Sequence, residues 1–226
     1  MADTALVIVA RYPQNGTTKT RLARALGNEE TVQLYRAFLT DLAQRFAAQP
    51  AYDLHWAFTP AGVDYAGFIE SLALSLGQDM RFFPQQGTNF GNRLHNAFRW
   101  TYEHGYRSTI LIGSDSPHIC RNTIAQAKDA LNEADVVLGP AEDGGYYLLA
   151  MQKPHDVFRD IPMSTSSVLQ MTIDLAQRQG LKVNTLETLF DIDELPELER
   201  LAQLLRTNAS LAPTTAAHLA TMKEFV

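Results

Sequence analysis

"ALVIVARYPQNGTTKTRLARALG", Ala5 to Gly27, joins an unbroken apolar run to a loop of small residues and then to a cluster of positive charge. The run "ALVIVA", residues 5–10, shows no polar alternation, which is the pattern of a strand buried on both faces, as in a parallel sheet. Lys19, Arg21 and Arg24 then fall within six positions, where a helix would start. Gly16, Thr17 and Thr18 leave room for backbone amides to approach an anion, and Lys19 and Arg21 add charge there. A solvated basic turn has the same composition. The loop is not a P-loop of the GxxxxGK[ST] kind, because Thr18 precedes Lys19 and Gly16 lies three residues upstream.

The alternation set by this first unit continues down the chain. Asn28 reads as the cap of a helix whose apolar face carries Val32, Tyr35, Phe38, Leu39, Leu42 and Phe46. Strands are expected at 52–58, 80–85, 108–115, 135–140 and 181–187, with a further extended run after the glycine pair in "AEDGGYYLLAM". Helices are expected at 65–76, around Leu94 to Tyr102, and at 122–134, 166–179 and 195–206, whereas the last twenty or so residues are weakly patterned. Alternation at this spacing implies an α/β fold of three α/β/α layers, mostly parallel in its sheet. Ligands of such sheets bind beyond the carboxyl ends of the strands. The expectation is one domain over 1–226, its core at about 5–205.

Composition restricts the function classes. The 226 residues are 46% hydrophobic and 19% charged, with a formal net charge of −6, so a nonspecific nucleic-acid coat, which needs a broad basic face, is a poor fit. The single cysteine, Cys120, allows no internal disulfide, and a reducing cytoplasmic compartment is the default expectation. The N-terminal apolar run is about six residues long with no basic region before it, and it reads as a buried strand, not a signal peptide or membrane span.

Two further polar motifs follow strand ends, and a third precedes a helix. In "GSDSP", Asp115 leaves a buried strand beside Gly113 and Pro117, a place for a hard oxygen ligand to Mg²⁺ or Mn²⁺ carrying phosphates, or for a turn cap. "DIDELPEL" offers Asp191 and Asp193 before a helix, where Asp193 competes as an N-cap. "AEDGGYY" places Asp143, Gly144 and Gly145 where a sugar or acceptor hydroxyl would meet them, though a hairpin turn explains them equally. One or two carboxylates plus waters are the usual protein share of a phosphate-bridging metal site, and Asp115 with Asp193 supply it. His95 and His118 lie near these motifs as general-base candidates, but structural roles explain them better; Trp56 and Trp100 sit in apolar patterns and read as core.

"ARYPQNGTTKTRLARALG", "QQGTNFGNRLHNAF", "LIGSDSPHI", "VVLGPAEDGGYYLLAM", "IPMSTSSVL" and "LFDIDELPEL", in that order, resemble the signatures of a bacterial and archaeal family long labelled a domain of unknown function. That family is grouped with the GT-A, or nucleotide-diphospho-sugar transferase, superfamily, a Rossmann-like fold akin to guanylyl- and cytidylyltransferases of cofactor synthesis. The resemblance spans about residues 5–205. It implies a metal-dependent transferase with a nucleotide-activated donor and a small-molecule acceptor: a glycosyltransferase, with nucleotidyl transfer or noncatalytic nucleotide binding as alternatives. Arg11, Gly16, Lys19 and Arg21 would hold phosphates, Asp115 and Asp193 would ligate Mg²⁺ or Mn²⁺, and Gly91 and Arg93, the family's G-x-R, would face substrate. Asp143, Gly144 and Gly145 would join them there. Arg11 stands where the family usually has lysine, and "SDS" carries one aspartate where a glycosyltransferase DxD motif has two.

Overall fold

A computed structural model describes residues 2–47, 49–72, 80–163 and 165–222. Among these residues seven strands form one sheet: β1 (Thr4–Arg11), β2 (Asp53–Thr59), β3 (Arg81–Pro84), β4 (Ser108–Gly113), β5 (Val136–Pro140), β6 (Tyr146–Met151) and β7 (Val183–Thr185). Their order is β3-β2-β1-β4-β6-β5-β7, and only β6 runs antiparallel to its neighbours. The glycine pair before β6 reverses the chain into the gap between β4 and β5, so the sheet is mostly parallel, as the alternating pattern implied.

Successive side chains of a strand point to opposite faces, and β1 shows why its apolar run never alternates with polar residues. Leu6, Ile8 and Ala10 enter one core beneath α2 (Asn28–Phe46), α5 (Arg121–Ala130) and α7 (Leu195–Thr207). Ala5 and Val7 enter the other, beneath α4 (Phe90–Glu103) and α6 (Val168–Arg178). Both cores are continuous and both faces of the central strands are dry, which is the three-layer arrangement. Trp56 is fully buried, and Trp100 packs on Phe83 with ring centroids 4.0 Å apart.

Several boundaries differ from expectation for identifiable reasons. Asn28 is the first residue of α2, not its cap: Gly27, at φ 83°, takes the cap position, where a left-handed conformation lets α1 (Thr20–Leu26) turn directly into α2. The helix expected at 65–76 is observed as α3 (Tyr65–Leu72); its expected end, 73–76, lies outside the described residues. The weakly patterned C-terminus folds as a short 3₁₀ turn (Ala209–Leu211) and α8 (Pro213–Leu219), which packs on α2. Asp41, buried on α2, anchors it by accepting hydrogen bonds from the backbone amides of Thr214 and Thr215, both at 2.8 Å, and from the Thr215 hydroxyl at 2.6 Å. A seven-residue helix held by a distant carboxylate leaves little periodic signal of its own.

Candidate active site

Beyond the carboxyl ends of β1 and β4 lies a cavity of about 640 Å³. Its lining includes Arg11, Thr17, Thr18, Lys19, Arg21, Tyr35, Gln85, Arg93, Asp115, Tyr146 and Asp193. Three loops meet there, those after β1 and β4 and the one before α7. The last two are stitched together: the Ile192 amide donates to the Asp115 carbonyl at 3.0 Å, and the Ser116 hydroxyl donates to the Phe190 carbonyl at 3.2 Å.

Lys19 occupies the junction. Its side chain is only 6% exposed, and its ammonium donates to the Ile192 carbonyl at 2.6 Å while contacting Asp115 Oδ1 at 2.6 Å and Asp193 Oδ1 at 3.3 Å. An ammonium has three protons, so this arrangement satisfies it completely. The two carboxylate oxygens, sharing one ammonium, are within about 6 Å of each other, close enough for one metal ion with bonds of roughly 2.1 Å and some adjustment. The residue reaches this position from an unusual backbone conformation: Lys19 is left-handed, φ 39°, at the start of α1, a region that side chains other than glycine's rarely adopt. Burial pulls its proton affinity down, but Asp115 and Asp193 outweigh burial and leave its pKa raised.

Around this centre the acidic residues exceed their partners. Arg21 pairs with Asp193 Oδ2 at 2.5 Å and with Glu194 at 3.3 Å. Asp191, half-buried, has its pKa pushed up to about 7 by burial first and then by the charges of Asp143, Asp193 and Asp115. Tyr35 fixes the floor: its hydroxyl shares a 2.7 Å hydrogen bond with Ser114 and accepts from the Arg11 amide at 3.3 Å. Burial pushes that phenol up to about 12, so it remains protonated. Tyr35 and Ser114 were not singled out by sequence as site residues, since each reads locally as part of a core face or a strand end; only the 2.7 Å pairing across 79 residues reveals the role.

The other sequence candidates fall in different places. The small-residue loop is not an open cradle, because the amides of Thr17 and Thr18 both donate to the Gln14 carbonyl at 3.2 Å, and Gly16 stands outside the cavity lining. Asp193 does not cap α7; Glu194 takes that position, and Glu197 accepts its amide at 2.9 Å. Asp143, Gly144 and Gly145 form a tight turn beside the cavity, outside its lining, with the Gly145 amide donating to Asp143 Oδ1 at 2.8 Å. Gly144, at φ 89°, leaves no space for a side chain, since a Cβ there would sit on the Ser166 carbonyl. Gly91 faces Phe158, 3.1 Å from where its Cβ would lie, and serves close packing, while Arg93 lines the cavity. His118 is buried against Phe190, ring centroids 4.4 Å apart, and His95 lies near Phe158; neither lines the cavity. Gln85, which sequence reasoning passed over, bridges two strand ends, its side-chain amide donating to the carbonyls of Ala10 and Ala57 at 3.1 and 2.9 Å.

Among the described residues no helix is long and apolar enough to cross a membrane. The solved structures similar to this chain share its architecture. A candidate nucleotide-diphospho-sugar transferase from Desulfovibrio desulfuricans is 30% identical, the match covering 100% of this chain and 97% of that one with a TM-score of 0.90. A cytidylyltransferase from Leptospira borgpetersenii is 12% identical over 99% of this chain and 95% of its own, with a TM-score of 0.59. A 4-diphosphocytidyl-2C-methyl-D-erythritol synthase from Anaerococcus prevotii is 9% identical over 90% and 98%, with a TM-score of 0.57. At those identities the last two testify to fold alone. No curated protein matches the sequence significantly. The chain has the nucleotide-diphospho-sugar transferase fold. A family profile matches residues 41–165, more than half the chain, and with it the chain belongs to the DUF2064 family, described as uncharacterised proteins conserved in bacteria.

Proposed function

We propose that this protein is a metal-assisted transferase that takes a nucleotide-activated donor and a small-molecule acceptor, with a nucleotide-diphospho-sugar as donor. The observation that carries the reading is the Lys19–Asp115–Asp193 cluster at the mouth of a 640 Å³ cavity beyond the carboxyl ends of the central strands. The similarity to the Desulfovibrio protein supports a sugar donor.

The residues fit a divalent cation of the Mg²⁺ or Mn²⁺ type. Two hard carboxylates lie within about 6 Å of each other, and the pKa of Asp191, raised to about 7 partly by three neighbouring carboxylates, records negative charge that such an ion would relieve. Among the described residues no cluster of three or more acidic, histidine or cysteine side chains forms a complete cage, so waters and phosphate oxygens would complete the coordination. When bound, the ion would neutralise charge on the donor's phosphate oxygens. Asp115 and Asp193 would hold it. Lys19, released from at least one carboxylate, and Arg11, which has no carboxylate partner among the described residues, would then orient and stabilise the phosphates. Tyr35 and Ser114 would keep the Asp115 loop in register.

Nucleotidyl transfer from a triphosphate is the second reading, favoured by one observation: Asp115 stands between Ser114 and Ser116 with no second aspartate, unlike a DxD motif. Phosphorus NMR on protein, Mg²⁺ or Mn²⁺, donor and an acceptor panel separates the two. Sugar transfer releases a nucleoside diphosphate or monophosphate, and nucleotidyl transfer releases pyrophosphate. Acceptor-dependent pyrophosphate without cleavage of any nucleotide sugar would reverse the ranking, and nucleotide binding without turnover across the panel would point to a noncatalytic role.

A further inference from the structure

Among the described residues four cations line the cavity, Arg11, Lys19, Arg21 and Arg93, against two lining carboxylates, Asp115 and Asp193. Lys19 and Arg21 consume both carboxylates. Arg93 has no ion pair among the described residues, and its Nε is buried without a hydrogen-bond partner. A guanidinium carries five N–H donors and is always charged, so a half-buried one in a cavity wall, with no ion pair and an unpartnered Nε, favours an oxyanion there.

The surroundings of Arg93 are built rather than loose. It sits in the first turn of the fourteen-residue α4, where the helix dipole adds positive potential. The turn at Gly87, φ 143°, packs so tightly that a Cβ there would lie 2.8 Å from the Arg93 amide nitrogen, and Gly91 brings the same helix turn close to Phe158. The guanidinium rests over the Phe90 ring, 5.6 Å from its centroid, and that ring is 39% exposed. Tyr146, from β6, lines the same cavity, and its hydroxyl is also buried without a partner; the Thr172 hydroxyl beside it stands outside hydrogen-bonding geometry. The same cavity is lined by the apolar Leu94, Leu111 and Leu149.

We propose that Arg93 and Tyr146 form a subsite for the anionic group of the acceptor, a carboxylate or a phosphate monoester on a small molecule. The assignment to acceptor rather than donor rests on the transferase reading above, in which the donor's phosphates gather at Asp115, Asp193, Lys19 and Arg11. Arg93 and Tyr146 come from α4 and β6, elements that supply none of that cluster. The guanidinium's fork of N–H donors matches two oxygens of one oxyanion, and a phenol hydroxyl from the same cavity lining can add a third donor.

The Arg93 Nε–H itself reports on the idea, through arginine side-chain ¹H–¹⁵N spectra of the whole chain, assigned with Arg93→Gln. Titration with inorganic phosphate and, separately, with glycolate should shift the Arg93 Nε signal saturably; the stronger of the two identifies phosphate monoester or carboxylate. Arg93→Gln should weaken that anion roughly ten- to a hundredfold, the worth of a charged hydrogen bond, and Tyr146→Phe several-fold. Binding of nucleotide with Mg²⁺ should persist in both variants. The proposal is overturned if neither anion shifts the Arg93 signal, whether or not other arginine signals move, or if both variants bind the stronger anion with unchanged affinity. A wild-type protein that binds no nucleotide but still shows the Arg93 response would refute the donor reading while leaving the oxyanion subsite standing.

Discussion

Replacing Lys19 with methionine tests the centre of the site directly. Methionine keeps an unbranched stem of similar length near Tyr35 and Phe38, whose ring centroids lie 5.9 and 6.0 Å from the ammonium, so the change removes charge more than packing. Removing one partner of a fully buried ion pair costs about 3–5 kcal/mol, whereas exposed pairs contribute about 0.2–1 kcal/mol. Here the lysine side chain is 6% exposed while Asp115 and Asp193 are 46% and 32% exposed, and Arg21 remains on Asp193. The loss should therefore lie between those limits, about 2 kcal/mol, which for a chain of this size lowers the melting temperature by roughly 4–8 °C at pH 7.5. Two conditional effects identify the cause. Lowering the pH to 5 should narrow the gap between variant and wild type, because Asp191, pushed up to about 7, takes up a proton in that window and relieves repulsion that the ammonium otherwise offsets. Mg²⁺ should stabilise the variant more than the wild type, because metal and ammonium compete for the same two carboxylates. Circular-dichroism melts at both pH values, with and without Mg²⁺, give all three numbers. An unchanged melting temperature at pH 7.5 would refute the claim that this ammonium holds the carboxylates together.

His55 and His118 should make stability depend on acid. Burial lowers both to about 4, against about 6.5 when unfolded, so the unfolded chain binds more protons in that window and stability should rise as pH increases from 4 to 6.5. The full effect is about 3 kcal/mol per ring. Urea unfolding at several pH values should show the slope, and His55→Leu, which removes two ring nitrogens that have no hydrogen-bond partner, should flatten it. Gly144→Ala should be among the costliest single-methyl additions, at least about 2 kcal/mol, because φ is 89° and the new Cβ would meet the Ser166 backbone. The same urea titration measures it, and a loss below 0.5 kcal/mol, the size of an ordinary surface change, would contradict the steric reading.

Local sequence determined the architecture because its signals are local. "ALVIVA" is apolar at every position since Leu6 and Val7 serve two different cores, and so short a run, ended by a loop of small residues, reads as a strand covered on both sides. The strand-loop-helix order likewise put Lys19 and Asp115 beyond the carboxyl ends of buried strands, on the side where such sheets bind ligands. What the sequence left open is who pairs with whom, because electrostatic partners here are separated by up to 174 residues and leave no periodic trace. A lysine and an arginine read as phosphate ligands are satisfied internally by aspartates, and a loop read as an amide cradle spends the amides of Thr17 and Thr18 on Gln14. Conversely, the family resemblance marks Arg93 as facing substrate, but only the fold shows that its Nε is buried and unpaired. Charge balance is a sum over everything brought within a few ångströms, so only the tertiary structure decides which cations remain free to receive a ligand.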